Sequence, residues 1–280
     1  MGMTSIAISA SASRPVGDLL REWRQRRRMS QLDLACEAEI STKHLSFLET
    51  GRSTPSREMV LHLAEQLDVP LRARNALLNA AGYAPVFSER QLDDPAMAAA
   101  RQAIDLVLAG HEPHPALAVD RHWCMAAANR AVAPLMVGVD PDLLRPPVNV
   151  LRVGLHPGGL APRTVNLAEW RAHLLAGLRQ QIEVSGDPVL VDLLAELRSY
   201  DVPAGPSPRI TSPERAAVAV PFRLATEHGV LSFLSTITVF GTPVDVTLSE
   251  LALECFYPAD QATAEAMRRL VGQEEAAAAK

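Results

Sequence analysis

The stretch SQLDLACEAEISTKHLSFLETGR, residues 30–52, decides how the N-terminal part of this chain is read. Ser30 is a good N-cap for one short helix and Ser41 for a second, because a serine hydroxyl accepts a hydrogen bond from an otherwise unpaired first-turn N–H. Leu34, Ala35 and Ala38 in the first helix, and Leu45 and Leu48 in the second, recur at helical spacing and turn toward one core. Gly51 stands where a helix end takes a left-handed residue. Two short helices across a tight turn, the second with a polar and partly basic outer face, predict an element that reads DNA.

The chain as a whole has the wrong charge for that partner. Its 280 residues hold 27 Lys+Arg against 32 Asp+Glu, a formal net charge of -5. A count by region resolves the conflict: residues 1–90 hold 12 against 10, a net of +2, and the rest hold 15 against 22, a net of -7. Arg14, Arg21, Arg24, Arg26, Arg27 and Arg28 cluster ahead of the quoted stretch, with only Asp18 and Glu22 among them. A local basic field is enough to attract phosphates, because salt screens exposed charges beyond about 10 Å. The acidic remainder would repel DNA everywhere except at this head.

Working outward, Val16, Leu19, Leu20 and Trp23 share one helical face while the arginines take the other. Residues 54–69 predict a fourth helix with Val60, Leu61, Ala64 and Leu67 inward, and residues 70–83 a fifth. With Gln31 as position one of the motif, Leu34, Ala35, Ile40, Leu45 and Leu48 are fourth, fifth, tenth, fifteenth and eighteenth. This spacing resembles the helix-turn-helix of the phage-repressor class, and the five-helix setting resembles the XRE family. Glu39 departs from it, at a turn position the family often fills with glycine; a left-handed backbone costs a non-glycine residue about 1 kcal/mol.

The resemblance implies that the second helix of the motif enters the major groove. Thr42, Lys43, Ser46 and Phe47 then occupy base-facing positions, and Gln31 a phosphate-contacting one. Lys43 suits guanine O6 and N7, and Phe47 a thymine methyl, or alternatively the core against helix four. His44, Arg52 and the Arg26–Arg28 run are candidate phosphate contacts, with a solvated face as the other reading of the run.

Beyond residue 93 the pattern changes. LDDPAMAAARQAIDLVLAGHE reads as a linking helix, then the strand-like runs 116–119 and 123–127 flank a turn, and Asn129 opens a short helix. Residues 216–258 supply three more strands, with TEHG at 226–229 as a hairpin turn. Strand, turn, strand and helix resemble the opening hairpin of a PAS domain. The whole arrangement, from about residue 14 to 260, resembles regulators in which an MmyB-like ligand-binding domain follows an XRE-type head.

That resemblance implies a fatty-acid-like ligand. Candidate pocket residues are Trp123, Asn129, His156, Arg163, Asn166, Trp170, Ala219 and Val239; Arg163 can anchor an acidic head group and Trp170 can wall a cavity, or they can be a structural ion pair and a core indole.

Catalytic chemistry finds little support. His111 and His114 are interrupted by prolines that preclude a helical zinc motif, and no nucleophile elbow accompanies His156 or Gly158–Gly159. Cys36, Cys124 and Cys255 lack metal spacing and read as reduced thiols. No run of 18 apolar residues is present, and Gly2 is not followed by the lipidation pattern.

The expectation is therefore a multidomain, cytoplasmic regulator that uses no cofactor and no metal. A disordered tail spans 1–13, an all-α five-helix lambda-repressor-like head 14–85 and a linking helix 86–110. An α+β PAS-like domain with an antiparallel sheet follows over 111–262, then a C-terminal helix and tail over 263–280. Its partners are a near-palindromic double-stranded operator, a small apolar or amphipathic ligand and a second copy of the chain. A dimerisation scaffold without ligand, or an enzyme tethered to DNA, stays open at this point.

Overall fold

The computed structural model describes residues 14–201, 220–241, 243 and 245–278. The expected tail over 1–13 and the candidate pocket residue Ala219 lie outside these. The chain divides into two units, residues 1–89 with 244–246, and residues 90–243 with 247–280.

The first unit contains α1 (Val16–Arg26), α2 (Gln31–Glu37), α3 (Thr42–Glu49), α4 (Arg57–Gln66) and α5 (Leu71–Ala80). Serines start three of these helices: the hydroxyls of Ser30, Ser41 and Ser56 accept from the backbone N–H of Asp33, His44 and Met59. At Ser30 the exchange is reciprocal, since Asp33 accepts from the Ser30 N–H. Each such cap is worth about 1 kcal/mol.

Leu20, Leu34, Leu45, Leu48, Val60 and Leu63 are fully buried in one core; Val16, Leu19 and Leu61 pack partly buried against it. A Cβ on Gly17 would stand 2.5 Å from the Leu48 carbonyl oxygen, so α1 and α3 approach as closely as they do only because residue 17 has no side chain. Glu39 adopts φ +52°, the left-handed turn conformation its position implies, and Gly51 adopts φ +72°.

In the second unit, α6 (Ala98–Gly110) precedes β1 (Ala116–Val119) and β2 (Met125–Ala128). Next come α7 (Val150–Leu155), α8 (Leu167–Ser185) and α9 (Pro188–Ser199). Strands β3 (Phe222–Thr226) and β4 (Gly229–Val239), the short α10 (Val246–Ser249), β5 (Ala252–Pro258) and α11 (Gln261–Ala278) complete the chain. The strands form one antiparallel sheet in the order β2-β1-β5-β4-β3. This is the α+β, PAS-like arrangement expected from the sequence.

Strand β5 lies at the centre and alternates its side chains across the sheet. Leu253 and Cys255 join Ile104 and Leu108 of α6 in one cluster, whereas Phe256 packs against a second cluster built on Trp170, Phe222 and Phe233. The expected linking helix over 86–110 is helical only from residue 95, and its apolar face is buried against the sheet. It is a wall of the second unit.

Candidate functional site

Helix α3 carries the four residues expected to face bases. Thr42 and Lys43 are exposed in its first turn, His44, Ser46 and Phe47 are half-buried, and Arg52 is exposed just beyond its end. Lys43 Nζ and the Arg52 guanidinium carbon stand 5.6 and 5.8 Å from the Phe47 ring centre. Phe47 does not belong to the head's buried core. The alternative that made it a core aromatic is thereby set aside.

Other basic residues are engaged within the protein. Arg27 donates to the carbonyl oxygens of Leu67 and Asp68 at 2.8 and 2.7 Å, filling acceptors left open at the end of α4. Arg26 pairs with Glu22 at 2.6 Å, and Glu22 also takes Arg14. Both Arg26 and Arg27 also lie over the Trp23 ring, at 5.4 and 5.7 Å. Of the expected run of phosphate contacts, Arg28 alone is exposed, in a left-handed conformation with φ +57°.

Gln31 is engaged as well: its Nε2 donates to Glu49 Oε2 at 2.8 Å. Glu49 is 2% exposed and receives Arg24 through Nε at 2.6 Å and Nη2 at 2.9 Å, while Arg21 Nη2 donates to its backbone oxygen. Burial alone would raise this carboxyl, but Arg24, Gln31 and Arg21 together hold it below the ordinary carboxylate range. One buried ion pair therefore fixes α1, α2 and α3 around the reading face.

The second unit encloses a cavity of about 70 Å³. Leu117 of β1, Leu135 and Met136 of the 3₁₀ turn Arg130–Met136, and Val150, Leu151 and Val153 of α7 contribute aliphatic walls. Trp170 and Leu174 of α8, Phe222 of β3 and Phe256 of β5 complete the lining. Glu254, 7% exposed and hydrogen-bonded to Ser235, is the one charged side chain of the lining among the described residues. Burial pushes its carboxyl up to about 7.

Among the seven described pocket candidates, only Trp170 reaches this cavity. Trp123 Nε1 donates to Gln181, and its ring packs against the α8–α9 cluster and behind the lining residues Leu117 and Val132, without lining the cavity itself. Asn129 is a buried tie: its oxygen accepts from Ala116 N and its amide donates to Leu108 O and His114 O. His156 Nδ1 accepts from Gly158 N, with its ring edge against Tyr200. Arg163 donates to Leu135 O through Nη2 and is not part of the cavity lining. Asn166 donates to Pro221 O and accepts from Arg223 N, tying α8 to β3. Val239, at the far end of β4, is 62% exposed and outside this lining.

Sequence reasoning missed Glu254, Phe222 and Phe256. One signal was present: in ALECFYP a glutamate shares strand parity with a phenylalanine, placing a charge on an inward face. Among the described residues no group of three His, Cys, Asp or Glu side chains is placed to hold a metal. No helix there is long and apolar enough to cross a membrane.

A five-helix head with an exposed, partly basic α3 surface and a separate PAS-like unit with an apolar cavity fit the class that the family models give, a DNA-binding transcription regulator with a ligand-binding domain. Residues 15–77 match the model of a helix-turn-helix domain, and residues 100–270 match that of the MmyB-like transcription regulator ligand binding domain. The second match spans more than half of the chain, which belongs to that MmyB-like family. No curated protein matches the chain.

Proposed function

We propose that the chain acts in the cytoplasm, without enzymatic activity, as a homodimer that binds a near-palindromic operator under control of a small apolar or amphipathic molecule held in its second unit. The observation that carries the DNA half is the surface of α3. Lys43 and Arg52 are exposed over the Phe47 ring and make no ion pair among the described residues, whereas Arg24, Arg26 and Arg27 are engaged internally. One recognition helix covers few base pairs, so specificity calls for two, with half-sites about one helical turn, roughly 34 Å, apart.

The cavity supports the ligand half through its almost wholly apolar lining. Its volume of about 70 Å³ is small beside the roughly 300–1,000 Å³ of clefts that take drug-sized molecules. A long fatty-acid-like chain would therefore require its walls to part. That smallness favours a second reading, a dimerisation scaffold that binds no ligand. Native mass spectrometry separates the two by the presence or absence of a co-purified small molecule.

For the head, Lys43→Ala should cost about 1–3 kcal/mol at a selected operator and relax base preference, while Arg27→Ala should leave both unchanged. Unaltered affinity in the lysine variant would overturn the assignment of α3. A footprint over one half-site, saturated by a monomer, would overturn the dimer.

A further inference from the structure

We propose that the cavity of the second unit takes an apolar ligand bearing one positively charged nitrogen, held by the Glu254 carboxylate and the rings of Trp170, Phe222 and Phe256. The proposal rests on the reading of this cavity as the ligand site and adds the charge of what enters it.

Three observations converge. Glu254 sits in the middle of the central strand, opposite Leu117 on one side and Ile237 on the other, and lines the cavity as its one charged group among the described residues. The arginine that suits an acidic head group, Arg163, is turned to the Leu135 carbonyl and outside the lining. The third observation is the aromatic wall. Trp170 and Phe222 lie 5.2 Å apart at 33°, and Phe222 and Phe256 6.2 Å apart at 59°, so adjacent, non-parallel rings border the same space as the carboxylate. Ring faces attract a cation through their negative quadrupole, most strongly where water is excluded.

Charge balance points the same way. A carboxylate ligand would bring a second negative charge beside Glu254 in a poorly solvated space, and one of the two would have to hold a proton. A cation reverses this: it stabilises the Glu254 anion, and the proton that burial lets Glu254 keep near neutrality leaves to solvent. The cavity's limited volume suits a compact ammonium group, and an alkyl tail running along Met136 and Leu174 requires the walls to part, equally for every probe of one chain length.

The test compares three probes of one chain length on the full chain by titration calorimetry at pH 7: octyltrimethylammonium, octanol and octanoate. The cation should bind at least about tenfold more tightly than the other two, because only it gains both the carboxylate and the rings. Glu254→Gln should remove that preference, lowering cation affinity about tenfold or more while octanol stays within about threefold. Phe256→Leu, checked for folding by circular dichroism, should lower cation affinity without affecting octanol beyond the same margin. In buffers of different ionisation heat, the wild-type chain should release a proton on binding the cation and the glutamine variant should not.

Tightest binding of octanoate, equal binding of all three, or an unchanged cation affinity in Glu254→Gln would each overturn the proposal while leaving the cavity a ligand site. If no probe binds at all, the reading of the cavity as a ligand site falls with it.

Discussion

Glu49 in the head and Glu254 in the second unit are both buried carboxyls, and their surroundings give them opposite characters. Glu49 accepts from Arg24 twice and from Gln31 once, and is held below the ordinary carboxylate range against the pull of burial. Glu254 has the Ser235 hydroxyl, no cationic side chain in its cavity lining among the described residues, and a carboxyl pushed up to about 7. A buried charge that is fully paired holds elements together; one that is nearly alone keeps its interaction capacity for something that arrives later. The first ties three helices of the head together; the second lines the cavity of the second unit.

The comparison is tested most strongly by Glu49→Ala. It leaves Arg24 buried without a partner, which should cost about 3–5 kcal/mol of head stability, measured as faster amide exchange in α1–α3. Acid should act in the same direction. A carboxyl depressed on folding stabilises above its unfolded value, and that contribution is lost as pH falls through the lower folded value. A head that kept its full protection at pH 3 would break the comparison.

Glu254→Gln should do the reverse. A carboxyl raised on folding is best tolerated below its ordinary value of 4.5, and stability declines as pH climbs from there to about 7. At one pKa unit per 1.36 kcal/mol, the wild-type chain should lose on the order of 3 kcal/mol between pH 4 and pH 8 that the glutamine variant does not lose. Identical pH profiles for the two chains would mean that Glu254 is solvated or paired in some other way. The smallest effect sharpens the picture of the head. Glu39 holds φ +52° in the turn between α2 and α3, so Glu39→Gly should add up to about 1 kcal/mol in thermal unfolding, with no change in operator preference.

Much of the head was legible because its signals are local. Ser30, Ser41 and Ser56 cap helices within three residues of themselves, and the apolar positions of the motif follow a period that needs no tertiary knowledge. The five strands were legible too, through alternation and the 226–229 turn. What escaped was settled by distant partners. Arg27 finds its acceptors at Leu67 and Asp68, some forty residues away, and Arg163 finds Leu135. Strand parity was readable, but which face would enclose a cavity depended on where α6 and α8 came to rest; Val239 lies beyond that enclosure while Glu254 lies within it. Asn129 was read as the opening of a short helix and as a pocket candidate, yet its hydrogen bonds tie three segments together.

The Phe47 ring, with Lys43 and Arg52 drawn over it, bears on how quickly and how faithfully the head can engage its site. Long cationic side chains on a surface ordinarily sample many rotamers, and fixing one of them costs up to about 2 kcal/mol of entropy at the moment of contact. Here an aromatic platform restricts two of them beforehand, so that part of this ordering is complete while the groove is still empty. Removing the ring would leave the total charge of the reading helix unchanged but disperse its directions, and the loss should fall on discrimination between sequences more than on attraction to DNA as such.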